Sequence, residues 1–173
     1  CVNGNAAALD AKNLIKLSES IPAPLEINIF HRTEERMELL ISYMESQGCK
    51  EVLGRVPEER IPGLNHDRAL CSKTLYDCDT ILVPIEDGDR AEALVRMGKV
   101  VISIDINPIS RTSKTATVPI SDELTRALEN IICFIDELRG DEKEIDRIIS
   151  SYDSDRNRKE LLKEISSYLE SSC

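Results

Sequence analysis

Short apolar runs of strand length recur along this chain, spaced so that one helix fits between each pair. The runs LEINIF (25 to 30), EVLG (51 to 54), TILVPI (80 to 85), VVISID (100 to 105) and ATVPI (116 to 120) are rich in Val, Ile and Leu, and turn residues bound each of them. Helical patterns fill the intervals at residues 5 to 19, 33 to 47, 66 to 77, 90 to 97 and 122 to 138. Strands that are apolar on both faces must be covered on both faces, which a parallel sheet between two helical layers achieves. The pattern predicts an α/β fold of doubly wound type, with a mainly parallel sheet and helices on both faces.

Helix starts support this placement. Thr33 before Glu34 and Glu35, and Ser121 or Asp122 before ELTRAL, put acceptors and negative charge at an N-terminus. After Gly140 the apolar residues thin out to Ile145, Ile148, Ile149, Tyr152, Leu161, Leu162, Ile165, Tyr168 and Leu169, mostly three and four apart. Two amphipathic helices broken near Asp153 to Asn157 are expected, dividing the chain into a domain over 1 to 140 and a helical C-terminal tail over 141 to 173.

A chain of 173 residues is long enough for one domain with a substantial core. Its net charge of −10 disfavours a large phosphate polyanion, so nucleic acid is not an expected partner. No apolar run reaches the roughly 20 residues that span a bilayer, and no basic-then-apolar leader opens the chain, which together predict a cytoplasmic protein. The six cysteines, Cys1, Cys49, Cys71, Cys78, Cys133 and Cys173, show no CxxC spacing, and neither His31 nor His66 stands beside one. Plain thiols are expected rather than a zinc site. Cys1 stands in the place of Met, directly before an apolar residue, as though an upstream segment had been removed.

In an open parallel sheet, ligands bind beyond the carboxyl ends of the strands. Four polar stretches fall there: VNGN (2 to 5), FHRTEER (30 to 36), PIEDGDR (84 to 90) and DINPISRT (105 to 112). Singly, each has an ordinary reading, because NGN and DGD are common turns and lone arginines are commonly solvated. Together they bring several arginines and carboxylates to one sheet edge, which suits a multiply charged phosphate ligand with a metal. No GxxxxGK[ST], GxGxxG or GxSxG occurs, so a nucleotide must be held in some other way.

These stretches, with the long block VPIEDGDRAEALVRMGKVVISIDINPISRTSKTATVPISDELTRALENI, resemble the archaeal family of ligases that join 4-phosphopantoate to β-alanine, the phosphopantothenate synthetases. The resemblance runs over about residues 2 to 139 and is weaker beyond. It implies a Rossmann-like homodimer of archaeal coenzyme A biosynthesis that condenses its two substrates with ATP and releases AMP and diphosphate. It also implies that Asp105, Ile106 and Asn107, then Arg111 and Thr112, then Glu123 and Leu124 hold ATP, the last two through backbone groups. Relatives tend to read DLNPLSRT and VDNVTRA where this chain has DINPISRT and SDELTRA. They also carry an N-terminal helical segment with basic residues ahead of the VNGN stretch, which this sequence lacks.

The chemistry expected is adenylation of a carboxylate followed by attack of an amine, so charge neutralisation and alignment are the main demands. Arginines meet the first demand with a permanently charged, forked donor. Arg32 and Arg36 are assigned to phosphopantoate or the triphosphate, and Arg90 with Arg111 to ATP. Asn3, Gly4 and Asn5 form a turn whose amides face a substrate anion. Glu86, Asp87 and Asp89 are candidates for Mg²⁺ or for the β-alanine ammonium. Mg²⁺ usually takes one or two carboxylates, so no residue is fixed as a metal ligand. His66 or a carboxylate takes the amine proton. The rival readings are an ATP-dependent phosphotransferase and a non-catalytic nucleotide-binding or assembly fragment.

Overall fold

The computed structural model describes residues 1–171. Three strands pair in parallel in the order β5 (Thr80–Pro84), β6 (Val100–Ile104), β7 (Val118–Ile120), and β1 (Leu25–Glu26) pairs in parallel with β2 (Val52–Leu53). The first residues of the chain lie between these two sets. Val2 bridges Ile27 in parallel, with Val2 N donating to Glu26 O at 2.7 Å and Asn28 N to Val2 O at 2.9 Å. On the other side the Cys1 amino group donates to Leu82 O at 2.9 Å. The order across the molecule is therefore β2, β1, residues 1–2, β5, β6, β7. This is the Rossmann-like succession, and the winding reverses between residues 1–2 and β5.

Helices cover the sheet as the apolar strands require. Small residues let α1 (Gly4–Ser20) approach α6 (Leu124–Leu138) closely, with Ala6, Ala7, Ala11 and Leu14 buried on one and Ala127, Leu128 and Ile132 on the other. A kink in α1 at Asp10 is re-capped locally, since its Oδ1 accepts from Asn13 N at 3.1 Å. The helices α2 (Glu34–Ser46) and α4 (Gly88–Arg96) start close to their expected positions, and Thr33 caps α2 by accepting from Arg36 N. Glu123, rather than Ser121 or Asp122, caps α6, with one carboxylate oxygen on Thr125 N and the other on Arg126 N. Beyond it come α7 (Glu142–Ser151) and α8 (Ser154–Ser171), with no buried residue in either. Their break falls earlier than expected, at residues 152–153, because Asp153 Oδ1 accepts from Arg156 N and starts the second helix.

Residues 66 to 77 are not one helix. A 3₁₀ turn (Asp67–Ala69) leads into β4 (Leu70–Cys71), which pairs antiparallel with β3 (Glu59–Arg60), and only then does α3 (Lys73–Asp77) begin. A buried carboxylate explains the interruption. Glu26, 3 % exposed, accepts from Ser72 N at 3.1 Å and from Ser72 Oγ at 2.5 Å. Ser72 in turn caps α3 through Leu75 N, so its amide serves the carboxylate and not a preceding turn of helix. The short helix α5 (Arg111–Thr115) was also not anticipated.

Among the described residues no helix is long and apolar enough to cross a membrane. Cys1, Cys49, Cys71, Cys78 and Cys133 are free thiols, while Cys173 lies outside the described residues.

Gly54, after β2, adopts φ +106, and a Cβ there would stand 2.5 Å from Ile27 O. Gly54→Ala combines a left-handed backbone with a clash against main chain. A loss of about 2 to 4 kcal/mol is expected, measured as a lower urea midpoint at unchanged slope.

Candidate active site

Where the winding reverses, the loop after β5 is held from three directions. Asn3 caps α1 by accepting from Ala6 N at 3.0 Å, and its Nδ2 donates to Ile85 O at 2.7 Å and Pro84 O at 3.3 Å. Ile85 N donates to Ile104 O at 2.9 Å. Thr112 Oγ1 donates to Glu86 O at 2.6 Å, tying the loop to α5. Under these restraints Ile85 sits at φ +50, a conformation that a β-branched residue rarely adopts. Asn3 thus spends its side chain on the scaffold. Gly4 and the exposed Asn5 open α1 beside it.

The start of α4 carries a charged cluster. Arg68, buried in the 3₁₀ turn, grips Asp89 with both ends of its fork, Nη1 to Oδ2 at 2.7 Å and Nη2 to Oδ1 at 2.9 Å. Its Nη2 also lies 3.3 Å from Asp87 Oδ2. The guanidinium stacks 4.1 Å above the Phe30 ring, which meets His31 edge-on. Arg90, 1 % exposed, donates from Nη2 to Arg68 O at 3.0 Å. Its Nε is 3.3 Å from Glu86 Oε2, close enough for attraction but misaligned for a hydrogen bond. Arg90 is therefore interior and braces Arg68 and Glu86; it presents no guanidinium to solvent.

The segment after β6 folds on itself. Asp105 accepts from Asn107 N at 2.9 Å and Ser110 Oγ at 2.6 Å, and Ser110 caps α5 through Ser113 N. Ile106 and Asn107 stay exposed, whereas Thr112 is buried. Arg111 turns toward α4, with Nε and Nη2 each 2.6 Å from a Glu92 oxygen. That contact pulls the Glu92 carboxyl below its ordinary range and raises the Arg111 guanidinium. The aliphatic stem of Arg111 lies over Gly88, where a Cβ would come within 2.5 Å of Arg111 Cγ. Beyond β7, the carboxylate of Glu123 is spent on its cap, and the Leu124 side chain is 2 % exposed in the core. Only backbone groups of Leu124 are left to meet a ligand.

Arg32 and Arg36 gather at the end of β1. Arg32 donates to Gly54 O at 2.5 Å, Arg36 to His31 O at 2.7 Å, and burial lowers the Arg32 guanidinium from its ordinary value. His66 is exposed at φ 59, and its carbonyl receives Arg60 Nη2 at 2.8 Å. The edge thus brings Asn3, Glu86, Asp87, Asp89, Arg90 and Thr112 into one bonded set. Arg111, Arg32 and Arg36 each hold a different protein acceptor. Sequence reasoning missed Arg68, Glu92 and Phe30. Arg68 was hidden inside a stretch read as helix, and no local pattern links it to acids about 20 residues away.

Residues 1–168 match the family model for phosphopantothenate/pantothenate synthetase. The chain is 48% identical over 170 residues to the 4-phosphopantoate–β-alanine ligase of Methanosarcina mazei, covering 97% of this chain and 67% of the relative. The enzyme of the same name from Methanospirillum hungatei is 51% identical over 142 residues, 82% of this chain and 58% of that one. That of Thermococcus kodakarensis is 40% identical over 164 residues, 93% and 63% respectively. The chain thus spans about three fifths to two thirds of the length of these curated relatives. With a match over nearly all its residues, and with the doubly wound sheet and charged switch point described above, the chain belongs to the phosphopantothenate/pantothenate synthetase family.

Proposed function

We propose that this chain carries the ATP- and substrate-binding domain, over residues 1 to 140, of a cytoplasmic, AMP-forming ligase that joins 4-phosphopantoate to β-alanine. The observation that carries this reading is the Thr112 to Glu86 bond, which fastens the segment assigned to ATP to the charged loop at the switch point. In the first step the pantoate carboxylate attacks the α-phosphorus of ATP, giving the acyl adenylate and diphosphate. In the second the β-alanine amine attacks the acyl carbon, the amide forms, AMP leaves and a proton is lost. Holding the partners side by side is worth up to about 7 to 11 kcal/mol of barrier.

Asp105 to Asn107, Arg111, Thr112 and the backbone at Glu123 and Leu124 form the nucleotide side. Gly4 and Asn5, with Arg32 and Arg36, form the phosphopantoate side, where the amides of a helix start and two cations favour an anion. Arg111 keeps Nη1 clear of its bond to Glu92, so it reaches a phosphate without surrendering that partner. Among the described residues no three metal-ligating side chains converge, so Mg²⁺ does not fit a cage of protein carboxylates. It enters as the counter-ion of ATP, held by phosphate oxygens and water. Over residues 141 to 173, α7 and α8 leave Ile149 and Leu169 exposed, which suits packing against a second copy of the chain.

Incubation with 4-phosphopantoate, β-alanine, ATP and Mg²⁺ is expected to release AMP; release of ADP would point to a phosphotransferase. Arg111→Ala should weaken ATP binding at least about tenfold, near 1.4 kcal/mol, by calorimetry. An unchanged affinity would sink the assignment. The double variant Ile149→Glu, Leu169→Glu should sediment as a monomer where the parent chain sediments as a dimer.

A further inference from the structure

Gly88 opens α4 with φ outside the left-handed region, so its backbone suits any residue, and a glycine there only lowers the helix propensity. A close approach accounts for it. A Cβ on Gly88 would stand 2.6, 2.5 and 2.7 Å from Cβ, Cγ and Cδ of Arg111, three successive carbons of one side chain. The stem of Arg111 lies flat along α4, in the space that another residue's side chain would fill.

Four residues on, the same face of α4 carries Glu92. It takes the head of that side chain, Oε1 accepting from Arg111 Nε and Oε2 from Nη2, each at 2.6 Å. Glu92 is steadied in its turn by Arg96, one further helical turn along, whose Nη2 donates to Glu92 Oε2 at 3.0 Å. Of the three side chains Glu92 is the least exposed, at 27% against 61% for Arg111 and 66% for Arg96. An exposed ion pair by itself holds its geometry loosely and adds little stability. Here one helix constrains both ends of the arginine, the stem through a missing side chain and the fork through a two-oxygen grip. The next residue, Thr112, is bonded to Glu86 O, so the first two residues of α5 are both fastened toward α4. Only Nη1 of Arg111 makes no hydrogen bond among the described residues.

We infer that Gly88 and Glu92 are positioning residues of the ligase, fixing the course and rotation of Arg111 so that its Nη1 edge is presented to a phosphate of ATP. The inference rests on the ligase reading and deepens it. Neither residue touches the nucleotide, and each acts through Arg111. A free arginine gives up rotamer freedom when it binds, whereas one already laid along α4 does not.

The test is a cycle of ATP affinities measured by calorimetry on the full chain with Glu92→Gln, Arg111→Ala and the pair combined. Glu92→Gln alone is expected to weaken ATP about three- to tenfold, and by less than about 1.5-fold once Arg111 is alanine, because residues acting as a unit are non-additive. Gly88→Ala should weaken ATP as well. Equal losses in the two backgrounds would overturn the inference, since Glu92 would then act independently of Arg111. So would an unchanged affinity in Glu92→Gln, or a tighter one, which would make Glu92 a competitor of ATP for the fork. If the parent chain binds no ATP, the nucleotide assignment of Arg111 fails by itself. The positioning is then judged without ligand from the Arg111 Nε–H signal in heteronuclear NMR spectra, identified by its loss in Arg111→Ala. It should exchange slowly with water in the parent chain and rapidly in both Glu92→Gln and Gly88→Ala. An unchanged signal in the two variants would reject Gly88 and Glu92 as positioning residues.

Discussion

One carboxamide joins the two halves of this sheet. Asn3 accepts from the first turn of α1 and donates across the reversal point to the end of β5, while Val2 beside it pairs with β1. The single side chain of Asn3 links a helix start, a strand end and the reversal point. A hydroxyl in its place would keep the cap and lose the reach, since it holds its acceptor and its one donor on a single atom, whereas the amide carries them on two atoms that point apart. The polar turns of the carboxyl edge take their relative positions from this junction.

Around it the charges are arranged for geometry more than for stability. Arg68 and Arg90 lie in the interior, and burying a cation costs several kcal/mol before its partners offset the loss. Asp89 and Glu86 supply the compensation, and the carbonyl of Arg68 is itself an acceptor for Arg90, so the two cations are stacked through one peptide group. An apolar core at the same place would fold as well or better. What it would not do is fix the direction of the carboxylates that remain in water.

Much of the architecture was legible from the periodicity of the apolar runs. All five runs enter the sheet, and four of the five helical patterns become helices close to the expected residues. The failure at residues 66 to 77 has a tertiary cause: the partner of Ser72 is Glu26, and a contact across 46 positions leaves no trace in local pattern. The site was legible as a set of turns and not as a network. Sequence reasoning grouped Glu86, Asp87, Asp89 and Arg90 by proximity. It had no means of knowing that Arg68 would divide the acids into engaged and open. Arg111 was found, but Glu92, which aims it, lies 19 positions away on another helix. Leu124 illustrates the opposite limit, a position tied to ATP by resemblance whose side chain belongs to the core.

The backbone of Ile85 carries a consequence for the order in which the molecule assembles. Left to itself, a β-branched residue avoids positive φ, so an incompletely folded chain keeps this loop extended. The restraints that reverse the preference come from Asn3, Ile104 and Thr112, the first of them 82 positions away. Long-range contacts of this kind pay their loop-closure entropy late in folding. The carboxyl edge therefore reaches its final shape only after both half-sheets have docked.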